Sequence, residues 1–400
     1  MNKKSYESHD IFEADDWIGD ALDIQNKLGG ITNPYRGNKR KMISDLARVF
    51  KEHDIDLTGG KALDLFAGSS FVSYFMKKQG AAVWSNDLLA FSYLGAVSLV
   101  ESDRNYTSEE QIHDIIWNDA ANAGTFMRDK YAGKRFTEEE AERLDVARHN
   151  LLKEYEGCLP EGKTGLADLI DCFSDHKLAF RNFGKLSEVS DSVIDDAHNF
   201  GQEVITILHY VMQKCDLGGR LNNGQVVAEV NHRLKRQKMS FNRISPYNMA
   251  FDNGLISVST NLDAMDLLNL LKINPVDFDV VYIDPPYGGG QSDYANMYQI
   301  FEDFLGFDDK HSDKNKKRFT KSKTYKESFN ELLTALPGCK WVFSYNDSSW
   351  ASVEDIKTHI ESFNRQVFLH EVDYKYQYRS KEKSSGTEYI IVALPKETNS

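Results

Sequence analysis

Apolar positions along the chain follow two patterns. Short, nearly continuous apolar runs that stop at polar residues recur at Lys61–Phe66, Ala81–Asn86, Leu255–Thr260, Val280–Ile283 and Lys340–Asn346. Continuous runs of this length read as strands buried on both faces, as in a parallel sheet. Between them the apolar spacing widens to that of a helix. Met42, Ile43, Leu46, Val49 and Phe50 mark one from about Arg40 to Phe50, and others fall at Phe71–Lys78, near Tyr298–Leu305 and after Ser352. Strand and helix in alternation predict an α/β fold. Two last strands, about Gln366–Tyr376 and Glu388–Leu394, are expected to close the sheet with an antiparallel edge.

From about Arg104 to Leu217 the strand pattern disappears. Thr137-Glu138-Glu139-Glu140 spells a capping box. It opens a helix through Leu144, Ala147, Leu151 and Leu152 to about Tyr155, Gly157 to Gly165 reads as a loop, and Asp195–Lys214 is helical again. The expected organisation is an extension over 1–30, with a short amphipathic helix within Ile11–Leu28, then one sheet domain made of 31–104 and 251–400. A helical insertion over 105–250 interrupts that domain.

Composition narrows the class. Of 400 residues, 41% are hydrophobic, enough for a core, and no apolar run approaches the ~20 residues of a membrane span. The N-terminus leads from basic into acidic sequence, unlike a secretory signal. Cys158, Cys172, Cys215 and Cys339 are too scattered for a metal site and read as reduced thiols of a cytosolic protein. A net charge of −13 argues against indiscriminate binding to a polyanion. The basic residues are nevertheless clustered: Arg36 to Lys41, Arg220 to Arg243 with Arg233, Lys235, Arg236 and Lys238, and Lys310 to Lys326 with Lys317 and Arg318. Such clusters beside chemistry-bearing motifs point to phosphate contact.

The chemistry concentrates at Asp284-Pro285-Pro286-Tyr287, behind the run Val280–Ile283. Two prolines lack amide donors and must end the strand. Asp284 therefore lies at the carboxyl edge of the sheet, where open α/β sheets bind ligands. A carboxylate, a prolyl carbonyl and an aromatic face suit a planar ring bearing an amino group. Asp64-Leu65-Phe66-Ala67-Gly68-Ser69-Ser70 reads as a strand and a tight glycine turn, and Asp87 ends the next strand, placed to hold ribose hydroxyls. The dinucleotide fingerprint is absent, which favours a nucleoside without a pyrophosphate, S-adenosylmethionine above all. Asp263, at a strand end, is a candidate acceptor for the adenine amine of that cofactor. Asn223-Gly224 signals a hairpin in a basic stretch whose Asn, Gln and Arg side chains suit base edges.

Taken together, these motifs resemble those of the Dam-type DNA adenine methyltransferases, from about Asn33 to Leu394. Tyr35-Arg36-Gly37-Asn38-Lys39-Arg40-Lys41 resembles the family's first motif, Asp64–Ser70 its glycine turn with Ser70 in place of the second glycine, and Asp284–Tyr287 its catalytic motif in full. Asn223 through Asn242 loosely echoes its recognition hairpin. The resemblance implies a class I S-adenosylmethionine-dependent methyltransferase fold with a seven-stranded Rossmann-like sheet. It implies methyl transfer to the N6 amine of a flipped adenine in double-stranded DNA, with no metal. Asp284 and the Pro285 carbonyl would accept the amine hydrogens and Tyr287 would stack on the base. Tyr35 and Lys39 would contact the methionine end of the cofactor and Asp87 its ribose, while Asp64, Phe66, Gly68 and Ser69 would line the pocket. A monomer in the cytoplasm of a bacterium, or phage-encoded, with a cognate restriction endonuclease as a partner, completes the expectation. Two rivals stay open. An RNA guanine amino-methyltransferase shares Asp-Pro-Pro-Tyr but usually lacks the Tyr35–Lys41 loop and the long insertion. An idle DNA-binding relative would be free to lose Asp284–Tyr287.

Overall fold

A computed structural model describes residues 39–186, 192–214, 249–286, 294–307, 325–346, 351–372 and 387–396, with Gly19 and Ala21. Apart from those two residues, the expected helix within Ile11–Leu28 lies outside them. The strands are β1 (Lys61–Asp64), β2 (Ala82–Asn86), β3 (Val258–Thr260), β4 (Val280–Ile283), β5 (Lys340–Asn346), β6 (Arg365–Val372) and β7 (Glu388–Pro395). The helices are α1 (Ile43–Glu52), α2 (Phe71–Lys78), α3 (Ala90–Ala96), α4 (Glu109–Trp117), α5 (Phe126–Tyr131), α6 (Glu138–Glu154), α7 (Leu166–Phe173), α8 (His176–Asn182), α9 (Ser192–Lys214), α10 (Ala264–Ile273), α11 (Tyr294–Leu305), α12 (Tyr325–Ala335) and α13 (Val353–Glu361).

Seven strands make one mixed sheet in the order β3-β2-β1-β4-β5-β7-β6. β1 runs parallel to β2 and β4, and β4 parallel to β5. β7 is antiparallel to both β5 and β6. This is the seven-stranded sheet that the resemblance implies, with the antiparallel edge expected from the last two apolar runs.

The chain divides into two compact units. The first holds residues 1–86, 263–292 and 317–400. Its helix α1, preceded by a 3₁₀ turn at Lys39–Met42, buries Met42, Ile43, Leu46, Val49 and Phe50 completely, the face the spacing predicts. Each such side chain contributes about 1.5–3 kcal/mol on burial. Helix α2 is buried from Phe71 through Lys77, as a helix following the first strand of a doubly wound sheet must be.

The second unit holds residues 87–262 and 293–316. Both halves of the capping box at α6 form: Thr137 Oγ1 accepts from Glu140 N at 3.1 Å, and Glu140 Oε2 from Thr137 N at 2.8 Å. The expected strand over Leu255–Thr260 is shorter, Val258–Thr260. Asp252 and Asn253 accept the amides of Gly254 and Leu255 in tight turns, and Gly254 sits at φ +84°. Ile256 then pairs with Gly184 and Lys185 instead of entering the sheet. Cys158, Cys172 and Cys339 are free thiols, and Cys215 lies outside the described residues.

Helix α9 carries Glu203 into the interior of this unit with no exposed surface. The Tyr155 hydroxyl donates to its carboxylate at 2.9 Å. Burial first, then the charge of Glu154, push the Glu203 carboxyl up from 4.5 to about 8. The raised value means that the fold favours the protonated form. The stability from that preference is complete below about pH 4.5 and is lost as pH rises through about 8, at up to ~1.4 kcal/mol per pH unit. Glu203→Gln should therefore flatten the fall in melting temperature between pH 5 and 8. An unchanged slope would place the effect on other groups.

Candidate active site

The carboxyl edge of the first unit collects the polar strand ends. β4 is fully buried from Val280 to Ile283, and its next residue, Asp284, is only 18% exposed at the side chain. Pro285 is buried behind it. Since neither Pro285 nor Pro286 has an amide hydrogen, the backbone there offers carbonyls alone. The strand thus ends in a cluster of acceptors.

Lys39 reaches this cluster from the 3₁₀ turn before α1. Its Nζ lies 3.4 Å from Asp284 Oδ1 and 3.5 Å from Glu388 Oε2. Lys39 is 9% exposed and Glu388 2%. Glu388 also accepts from Asn346 Nδ2 at 3.0 Å. β5 runs toward this edge and β7 away from it, so the last residue of one pairs in register with the first of the other, Asn346 with Glu388. One lysine thus bridges two carboxylates, the second oriented by an amide. Beneath them the Tyr282 hydroxyl bonds Ser344, and burial, followed by the Asp284 charge, holds its phenol neutral.

The turn after β1 lies one strand away. Asp64 pairs in register with Tyr282, is buried, and accepts from Ser73 Oγ at 2.6 Å. Leu65 N donates to Tyr282 O, Ala67 N to Asn86 O, and Asn86 Nδ2 to Leu65 O. β2 and β4 therefore clamp the turn from both sides. Gly68 has φ +52° and Ser70 φ +60°. The left-handed region costs a residue with a Cβ about 1–2 kcal/mol, which gives the physical reason a glycine suits position 70. Ser70 N closes the turn on Ala67 O at 2.7 Å. Phe66 is half-buried and Ser69 buried beside it.

Asp87 opens the second unit. Its amide donates to Thr260 O, its Oδ1 accepts from Leu89 N at 2.9 Å, and Asn261 Nδ2 donates to the carbonyls of Asp87 and Leu88. Helix α3 follows without a side-chain cap of its own at Leu89. Glu302 of α11 supplies one, accepting from Ala90 N at 3.3 Å and Phe91 N at 2.9 Å. Asp263 caps α10, with Oδ1 accepting from Met265 N at 2.9 Å.

The structure brings Lys39 onto Asp284 and gathers Asp64, Phe66, Gly68 and Ser69 in one turn. Tyr35, Tyr287, Arg220, Asn223, Arg233, Lys235, Arg236, Lys238, Lys317 and Arg318 lie outside the described residues. Sequence reading missed Glu388, Asn86, Ser73 and Glu302. The only signal for Glu388 is an acid directly ahead of the apolar run Tyr389–Val392.

Three known proteins are similar to this chain. Type II methyltransferase M2.HphI of Haemophilus parahaemolyticus is 25% identical over 370 residues, covering 90% of this chain and 96% of that protein. Modification methylase StsI of Streptococcus sanguinis is 25% identical over 375 residues, 88% of this chain but 50% of that protein. The crystal structure of SMU.776 complexed with SAH overlaps 87% of this chain and 49% of its own, at 12% identity and a TM-score of 0.32. The family model of the D12 class N6 adenine-specific DNA methyltransferases matches residues 35–356. Most of the chain falls within that match, and the chain belongs to this family.

Proposed function

We propose that the end of β4, Asp284 with the Pro285 carbonyl, is the catalytic centre at which this DNA adenine-N6 methyltransferase acts. The observation that carries the reading is the Asp284 carboxylate, followed by two residues without amide hydrogens and held by Lys39 at 3.4 Å. An exocyclic amine is a poor nucleophile because its lone pair is delocalised into the ring. Acceptance of its two hydrogens by the Asp284 carboxylate and the Pro285 carbonyl pyramidalises the nitrogen and frees that pair. Asp284 also offsets positive charge that develops on nitrogen as it is alkylated. Lys39 fixes the carboxylate, and by dividing itself between Asp284 and Glu388 it leaves Asp284 able to accept.

S-adenosylmethionine supplies the methyl group as an electrophilic sulfonium. The residues present suit it. Gly68 lacks a Cβ, Ser69 carries a small hydroxyl side chain, and the buried Ser70 Oγ meets no hydrogen-bond partner among the described residues. Asp87 provides acceptors of the kind that ribose hydroxyls need. We read 31–104 and 251–400 as the catalytic part and 105–250 as the target-recognition part. Arg220, Asn223, Arg233, Lys235, Arg236, Lys238, Lys317 and Arg318 are the proposed DNA contacts. Chemistry on a paired base requires it out of the stack, and Tyr287 is the proposed platform for it.

No helix among the described residues is long and apolar enough to cross a membrane. A monomer acting in the cytoplasm is the setting we propose, and the names of the type II and modification methylases above support a restriction endonuclease beside it. The test is incubation with double-stranded DNA and methyl-labelled S-adenosylmethionine, followed by nucleoside analysis. N6-methyladenine is expected. Label on cytosine, or on RNA in preference to DNA, would overturn the reading.

A further inference from the structure

Two adjacent side chains and a third more than 300 positions away meet at the end of α1 opposite Lys39. His53 is the C-cap of that helix and Glu52 its last residue. His370 lies in β6, an edge strand of the sheet. The two Nε2 atoms are 2.8 Å apart, and Glu52 Oε2 is 3.9 Å from His370 Nδ1. One donor atom from each residue falls within 4.8 Å of the others. Phe368, on the same strand, holds the His53 ring at 4.4 Å between centroids. Both histidines are half-buried and Glu52 is exposed, so the group opens to solvent on one side.

We propose that Glu52, His53 and His370 form a binding site for a divalent transition-metal ion. Two imidazoles and a carboxylate are a donor set suited to zinc. Tetrahedral zinc at ~2.0–2.1 Å from each nitrogen needs the nitrogens ~3.3 Å apart. The rings need to part by about half an ångström from their present hydrogen-bonded contact, a movement within the reach of side-chain rotation. His53 also stands where the carbonyls of α1 run out, and the negative end of a helix favours a cation. Solvent on the open side supplies the fourth position. Arg48 competes for the carboxylate, with Nη1 3.6 Å from Glu52 Oε2. An ion here ties α1 to β6. The α1 end of the tie is continuous with the turn of Lys39, and β6 pairs His370 with Ile390, two residues from Glu388.

The test uses the full chain, stripped with a chelator and titrated with Zn²⁺ by calorimetry and with Co²⁺ by visible absorption. One ion per chain is expected, with a rise of several degrees in melting temperature. His53→Gln and His370→Gln should each weaken Zn²⁺ binding at least tenfold, and Glu52→Gln several-fold. Arg48→Ala keeps every ligand and frees Glu52, so it should tighten binding; circular dichroism checks that each variant is folded. Absence of saturable binding, or binding that neither histidine variant nor Arg48→Ala changes, would show the pair to be a hydrogen bond alone and overturn the proposal.

Discussion

Asp284→Ala should leave a folded protein that binds S-adenosylmethionine and no longer methylates adenine. The expected fall in kcat is at least about a thousandfold, the upper range for removing one group that stabilises developing charge. The fold should survive because Lys39 keeps its second carboxylate, Glu388, at 3.5 Å. Asp284→Asn is the sharper comparison. It retains a carbonyl acceptor but brings an N–H₂ group to face the substrate amine, so its rate should fall between the two. Single-turnover methylation alongside cofactor titration separates the cases. Turnover retained in the alanine variant would remove Asp284 from the chemistry.

Lys39→Met should do the converse and damage the fold as much as the reaction. It removes the cation shared by Asp284 and Glu388 and leaves Glu388 charged with 2% of its surface exposed. Stranding a buried carboxylate costs about 3–5 kcal/mol, which for a protein of this size is about 4–6 °C in melting temperature. Glu388→Gln keeps the bond from Asn346 and gives Lys39 wholly to Asp284. Its stability should change little, while kcat drops about tenfold as the acceptor is neutralised, with KM for DNA nearly constant. The double variant should then be more stable than Lys39→Met alone. Simple additivity of the two changes would show that the residues do not interact.

What the sequence made legible follows from how each feature is encoded. Contiguous apolar runs bounded by polar or turn residues located β1, β2, β4 and β5 to within a residue or two, because strands buried on both faces read as unbroken apolar runs. The capping box located the start of α6, because its two hydrogen bonds are local. Features made by chain crossings were hidden. Glu388 precedes its apolar run because β7 enters the edge that the parallel strands leave, so an acid after a strand was the wrong thing to look for. Glu302 caps α3 from a helix more than 200 positions away. The short helices α4, α5, α7 and α8 each show too few turns to declare a period. Asp263 satisfied the strand-end pattern and also the pattern of an N-cap, and Met265 N takes one of its oxygens.

The reversal of β7 also bears on how this protein could be re-engineered. Asn346 and Glu388 lie 42 positions apart, yet they pair in register and are joined by one hydrogen bond. The chain between them is an excursion that departs from and returns to one point. A longer or shorter link between β6 and β7 changes the entropy of closing that excursion by only ~0.6 kcal/mol per doubling and moves neither end. Foreign segments, such as a reporter domain or an affinity handle, belong in that link. The same insertion between β4 and β5 would lie on the path from Asp284 itself.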